Sequence, residues 1–344
     1  GHAVPAITDD GVVVSATRLQ AYAFNPHDYF LEYVLRVDIP ELPEERYEVS
    51  PMDRGSLVHE ALDAFLAEVL ARPGGAPAPD AAWTDADRKV MHDLAAARMT
   101  VYEAQGRTGR RLFWHRDRRR ILAELDRFLE VDATVRAEWG LRPIATELRF
   151  GFADGALPVD LRLSDGRSVR FRGAADRVDV TDTGALWIVD YKTGNPNRYR
   201  VDGADPTAAG TMLQLPVYAH AARASFGAAD TPVGAAYWLV STRGRFELEE
   251  VELDDRVEAR VDEVLRTIAD GIGAGVFPCR VDPPSTWGRR YRSYIDPDAR
   301  GTRDRYREWL RKRAAPELRG YVSLAEPDLI DEHLDEHVLE GSGS

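Results

Sequence analysis

Only one cysteine, Cys279, occurs in the 344 residues of this sequence. That excludes an internal disulfide framework and any metal site built from several thiolates, and makes the cytoplasm the default location. No stretch approaches the roughly 18 consecutive apolar residues of a membrane-spanning helix. The first residues lack the basic-then-apolar order of a secretory signal, so no membrane association is expected. Positive charge is also short: 45 lysines and arginines face 58 aspartates and glutamates, a net charge of −13. Such a balance argues against a protein that coats nucleic acid by bulk charge. There is no Gly-x-x-x-x-Gly-Lys-Ser/Thr loop to cradle nucleotide phosphates. Gly1-His2 and Gly341-Ser342-Gly343-Ser344 read as expression remnants and are set aside.

What is present is a chain 44% hydrophobic, long enough for one large domain or two small ones. Basic residues are concentrated in two places. Residues 107–120 read RTGRRLFWHRDRRR, and residues 288–313 mix arginines with tyrosines and a tryptophan. Arg110, Arg111, Arg118, Arg289, Arg290 and Arg292 are the candidates for phosphate contact, the alternative being solvated helix faces.

Periodicity divides the chain. Helical spacing covers residues 15–36, with Ser15 or Thr17 as N-cap and a second start at Pro26. It returns over 54–70, where Val58, Leu62, Phe65, Leu66 and Val69 share one face. A Pro- and Gly-rich loop over 71–80 precedes two expected helices, 84–105 and 111–139. The period then changes to alternation over 145–152, 159–163 and 168–180, followed by a short apolar run, 185–190. A helix near 208–225 contains Pro216, which must kink it or delay its start. Strands over 233–240 and 245–253, a helix over 254–272 and a short helix near 302–313 complete the pattern. It describes an α/β domain over 14–313 with a helical insertion at 72–140, a basic C-terminal segment at 275–313, and tails at 1–13 and 314–344.

The chemistry concentrates in one predicted hairpin. Gly173-Ala174-Ala175-Asp176-Arg177-Val178-Asp179 leads through the turn Asp182-Thr183-Gly184 to Asp190-Tyr191-Lys192-Thr193-Gly194. Adjacent strands bring Asp176 and Asp190 together, and alternation puts Asp190 and Lys192 on one face with Tyr191 opposite. Two carboxylates suit Mg²⁺ or Mn²⁺, and a cation plus an ammonium suits a phosphodiester that gains negative charge. The structural alternative pairs Asp176 with Arg177 and leaves Lys192 as a strand end.

These segments resemble the PD-(D/E)xK nuclease superfamily in its RecB-like branch, including AddB-type C-terminal nuclease domains of helicase–nucleases. The resemblance covers Ser15-Ala16-Thr17-Arg18-Leu19, Asn25-Pro26-His27-Asp28-Tyr29-Phe30, Gly55-Ser56-Leu57-Val58-His59, the two hairpin strands, and Gln214-Leu215-Pro216-Val217-Tyr218. It implies a restriction-endonuclease-like core, a central mixed sheet flanked by helices. By resemblance, Asp176 and Asp190 are the metal carboxylates, His59 an additional ligand and Lys192 the catalytic lysine. Gln214 and Tyr218, four apart on a helix, match the Gln-x-x-x-Tyr signature, and Glu147 resembles an auxiliary acidic position. The implied activity is metal-dependent hydrolysis of single-stranded DNA or DNA ends in recombinational repair, by a free-standing nuclease or beside a helicase domain or subunit.

One departure stands out. AddB-type relatives commonly hold an iron–sulfur cluster on four cysteines, but the early position here is Asn25 and the C-terminal segment has none, so no cluster is expected. Packing of Tyr291, Tyr294 and Trp309 is expected to join the two ends instead. A non-catalytic module that keeps the fold to bind DNA or a helicase is the rival reading, and a small-molecule phosphatase a more distant one.

Overall fold

The computed structural model describes residues 4–37, 47–281 and 302–326, the side chains of 302–304 excepted. Strand β1 (Val13–Ser15) enters helix α1 (Ala16–Phe24) through Ser15, whose hydroxyl accepts the Arg18 N–H as an N-cap. Asn25 ends α1 and caps α2 (Pro26–Tyr29), where Pro26 sits in the first turn and needs no intrahelical donor. One turn of π-helix, Phe30–Val34, follows. Ser50 caps the 20-residue α3 (Pro51–Leu70).

Two long helices follow. In α4 (Asp85–Ala104), Thr84 and Asp87 form a reciprocal capping box. Helix α5 (Arg111–Trp139) stops where Gly140 takes the left-handed conformation.

Strands β2 (Arg142–Phe150), β3 (Val159–Arg162), β4 (Ser168–Val180) and β5 (Leu186–Lys192) come next. Helix α6 (Gln214–Phe226) starts late, so Pro216 falls in its first turn and no kink results. Strands β6 (Val233–Leu239) and β7 (Leu248–Glu252) precede the amphipathic α7 (Asp255–Gly273). The last elements are α8 (Thr302–Lys312) and α9 (Arg319–Ala325).

The seven strands of the described residues form one mixed sheet ordered β1-β4-β5-β6-β7, with β2 and β3 also paired to the long β4. β1 is parallel to β4, β5 parallel to β6, and the other pairs antiparallel. Helices cover both faces. One core joins α1, α6, α7 and α9 to the sheet, and the other joins α3, α4 and α5. The fold is thus the expected mixed α/β sheet flanked by helices.

Residues 314–326 do not behave as the expected tail. Tyr321, Val322 and Leu324 are buried, and the Tyr321 hydroxyl donates to the carbonyls of Ala23 (3.3 Å) and Phe24 (3.4 Å). Trp309 is buried beside Tyr321 and donates its indole N–H to Glu326. Aromatic packing thus joins the C-terminal helices to α1, through Trp309 and Tyr321. Tyr291 and Tyr294 lie outside the described residues, as do Arg289, Arg290 and Arg292. Among the described residues no helix is long and apolar enough to cross a membrane.

Candidate active site

The β4–β5 ladder pairs Val180 with Leu186 through Arg177 with Val189 and then stops. Its next rung would set Asp176 against Asp190. Instead the Asp176 carboxylate takes the place of a ladder carbonyl, its Oδ2 accepting the Tyr191 N–H at 2.7 Å. The two strands part there, with both carboxylates at the opening. An irregularity of β2 and β4 aids this. Ala145 and Leu148 on β2, and Ala175 and Val178 on β4, all pack on the same core, so the alternation slips by one residue between them. Glu147 sits at this slip with a left-handed φ of 46°, but no residue is inserted there: the β2–β4 register holds from Ala145 to Phe150 and shifts between Pro143 and Ala145.

Helix α3 closes one side. His59 Nδ1 lies 3.1 Å from Asp176 Oδ1. Burial opposes its charged form, but the Asp176 hydrogen bond and the charges of Asp176 and Asp190 prevail and raise its pKa. One turn further along, Asp63 accepts from the Thr146 hydroxyl (2.8 Å), which also contacts the Asp176 carbonyl (3.2 Å). α3 therefore fixes Asp176 through its side chain and its backbone.

On the other side, Asp190 and Lys192 form a close ion pair. Burial and the like charge of Asp176 raise the Asp190 pKa, against the pull of Lys192 and His59. Burial disfavours the Lys192 ammonium, yet Asp190 overrides it and the lysine pKa rises. The ammonium also donates to Gln214 Oε1 (3.2 Å), and Gln214 Nε2 donates to the Tyr218 hydroxyl (3.1 Å). The rings of Tyr237 and Tyr199 lie 5.2 and 5.5 Å from Nζ. Gly173 is required here, because a Cβ on it would stand 2.9 Å from both Phe150 and Tyr218. The helix spacing of Gln214 and Tyr218 thus becomes a relay that aims the lysine.

His59, Asp176, Asp190, Lys192, Gln214 and Tyr218 are all brought together. Among the described residues no three His, Cys, Asp or Glu side chains close into a ready cation cage. The donors are engaged with each other and with Lys192. Their chemistry nonetheless fits a hard divalent cation: two carboxylates on neighbouring strands, an imidazole, and a buried Asp190 Oδ2 whose one partner among the described residues is the Lys192 ammonium.

Other candidates are placed elsewhere. Glu147 is half-exposed and paired with Arg149 rather than with the cluster. At the start of α5, Arg110 lies 4.1 Å over Tyr47, Arg111 contacts His115, and Arg118 faces Glu103. Arg177 does not pair with Asp176. It turns to the opposite face, to Asp132 and Asp179.

Two supports of α6 stand outside every motif legible in the sequence. Gln20 on α1 accepts the Leu213 N–H (3.0 Å). Asp205 pins the loop before the helix, accepting from the Thr207 N–H and hydroxyl, the Ala209 N–H and Arg260. Ala208 and Ala209 in that loop hold left-handed φ values of 45° and 56°, a strain the carboxylate offsets. Asp-x-Thr is a turn signal, but nothing local shows Arg260. Burial would raise the Asp205 pKa, but Arg260, Thr207 and Ala209 lower it to about 2. A depressed carboxylate stabilises the fold above its unfolded value and loses that contribution as pH falls through its folded one. Discounted for partial exposure, Asp205→Asn is expected to cost about 1–2 kcal/mol at neutral pH. Thermal melts should show the deficit shrinking below about pH 4. A pH-independent deficit would assign the loss to packing.

The model of the PD-(D/E)XK nuclease superfamily matches residues 13–287. The chain is 32% identical over 260 residues to one of the subunits of the ATP-dependent helicase/deoxyribonuclease of Lacticaseibacillus casei (strain BL23), covering 72% of this chain and 20% of that protein. The subunits of the same name from Symbiobacterium thermophilum and Clostridium novyi are 30% and 27% identical, over 61% and 71% of this chain and 20% and 21% of theirs. The chain thus spans about a fifth of the length of the curated relatives it matches.

Proposed function

Because the chain belongs to the PD-(D/E)XK nuclease superfamily, we propose that it is a Mg²⁺- or Mn²⁺-dependent deoxyribonuclease. Its substrate in this reading is single-stranded DNA or a DNA end, cut as an exonuclease. The names of its relatives join a deoxyribonuclease to an ATP-dependent helicase, which supports a helicase domain or subunit as partner and end processing in recombinational repair as the setting.

The observation that carries the proposal is the meeting of Asp176, Asp190, Lys192 and His59 where β4 and β5 part. The three potential ligands would be His59, Asp176 and Asp190. A bound divalent cation supplies positive charge beside the phosphate and makes a water more acidic. The protein's own groups do the rest. Lys192, aimed by Gln214 and walled by Tyr199 and Tyr237, holds an ammonium beside the carboxylates, where it stabilises charge gained by the phosphodiester. His59 and Asp63 keep Asp176 in place against the strand opening.

End-labelled single-stranded and duplex DNA, incubated with Mg²⁺, Mn²⁺ or chelator, tests this. Cleavage that needs the cation is expected, and the product ladder reports its polarity. Folded protein that binds DNA but cuts neither form with either cation would sink the catalytic reading and favour a binding module.

A further inference from the structure

Beside the carboxylate cluster lies a second group of charged residues, of the opposite sign. Glu124, in the middle of α5 and only 3% exposed, accepts from three elements at once. Arg54 on α3 forms a close ion pair with its Oε2. Arg120 donates to Oε1 at 3.3 Å, and the Thr242 backbone N–H donates to the same oxygen at 3.0 Å. Two guanidiniums on one carboxylate leave a local excess of positive charge in a chain whose net charge is −13. A purely structural tie needs only one of them.

The place of this group is set by its neighbours. Gly55, next to Arg54, packs so close to Thr193 that a Cβ would stand 3.1 Å from its hydroxyl, and Thr193 follows Lys192. Val240, two residues before Thr242, donates its N–H to the Lys192 carbonyl at 2.9 Å. The arginines therefore stand at the ends of β5 and β6, adjoining the segment that carries the lysine. Each guanidinium has five N–H donors in a planar fork. Arg54 keeps 17% of its side chain exposed and Arg120 keeps 54%, so donors remain for a ligand. Arg243, on the loop held by Glu124, is exposed and has no hydrogen bond or ion pair among the described residues.

We propose that Arg54 and Arg120, aimed by Glu124 and adjoined by Arg243, form a binding subsite for a backbone phosphate of nucleic acid flanking the one to be cut. Planar, doubly donating guanidiniums match phosphate oxygens. An acidic catalytic cluster repels an approaching phosphate chain, and a positive subsite beside it offsets that repulsion. The subsite rests on the nuclease reading but is tested separately from it.

The probe is a fluorescein-labelled single-stranded DNA oligonucleotide, titrated by anisotropy with chelator over a salt series. Arg120→Ala and Arg243→Ala should each weaken binding by about three- to tenfold at low salt. Each should also lower the log–log salt slope by about 0.7, the value for one phosphate contact on a single strand. Arg54→Lys, which keeps the charge but loses the fork and spares the buried Glu124, should weaken binding with little change of slope. Arg127→Ala, further along α5 and paired with Glu130, should change neither. An unaltered slope and affinity in Arg120→Ala, with the parent cutting DNA, overturns the subsite and leaves the nuclease reading standing. A lost contact in a parent that never cuts overturns the nuclease reading and leaves Arg120 a phosphate contact of a binding module.

Discussion

Asp190→Asn and Lys192→Ala are each expected to lower cation-dependent DNA cleavage by about 10²–10³-fold, the usual cost of removing one group aimed at transition-state charge. Asparagine keeps the shape of aspartate but not its charge, so it weakens cation binding and leaves the Lys192 ammonium without its partner. Alanine at 192 removes the ammonium and empties the slot between Gln214, Tyr199 and Tyr237. Neither residue is asked to hold the ground-state DNA, so the loss should fall in kcat and spare the affinity for DNA. Because the two act as one unit, the double variant should be little worse than either single one. Lys192→Arg should stay near the alanine level, since a longer, planar guanidinium spreads its charge and does not reproduce the compact ammonium held by Asp190 and Gln214. Single-turnover cleavage together with DNA-binding titrations checks all four variants. Full activity in Lys192→Ala would remove the lysine from the chemistry and return it to the role of a strand end.

Much of this arrangement is legible in the sequence because short-range geometry produces it. Alternation alone puts Asp190 and Lys192 on one face, and helical spacing alone puts Gln214 and Tyr218 side by side. Pro216 announces the late start of α6, which is what leaves Gln214 at the helix terminus, within reach of Lys192. What escapes the sequence depends on partners far along the chain. Asp63 reads as one more polar residue on a helix until Thr146 meets it across 83 positions. Glu124 looks like a solvated partner of Arg120 until α3 and the loop after β6 converge on it. The slip of β2 and β4 at Glu147 and Asp176 is hidden too. Strict alternation through Gly173 to Asp179 would put Ala175, Arg177 and Asp179 on one face. In the structure Ala175 faces one core, while Arg177 and Asp179 lie buried on the other side with Asp132. A charged residue in a strand ordinarily reads as solvent-facing, and only the fold shows where its counterions are.

That buried group carries the largest expected effect on stability. Arg177 is 1% exposed. It pairs closely with Asp132 on α5, and it donates to Asp179 through Nε (2.7 Å) and Nη2 (2.9 Å). Asp132 also accepts from Arg136 (2.8 Å) and from the Trp83 indole (2.6 Å), and Arg136 donates to the carbonyls of Ala78 and Ala81. Helix α5 and the loop before α4 are thereby tied to β4 one residue from Asp176. Arg177→Met has similar length but leaves Asp179 buried without its cation, and should cost about 3–5 kcal/mol, a large share of the roughly 5–15 kcal/mol that holds a domain together. Arg177→Lys should cost less, because one point charge serves one carboxylate but not both. Combining Arg177→Met with Asp179→Leu should recover part of the loss, since an orphaned charge is worse than no pair at all. Acid provides a further check. At Asp179 burial outweighs the pull of Arg177 and raises the pKa, whereas at Asp132 burial is overcome by Arg177 and Arg136, which hold it below the usual range. The parent therefore loses this contribution as pH falls through that depressed value, while the variant has less to lose, and the gap between them narrows. Urea midpoints at neutral and acidic pH measure both effects. A loss under about 1 kcal/mol, the range of exposed pairs, would mean that water reaches Arg177 and that β4 is held by its strand neighbours. A loss of the expected size, with cleavage impaired in a variant that stays folded and binds DNA, would make the buried pair the support on which the placement of Asp176 depends.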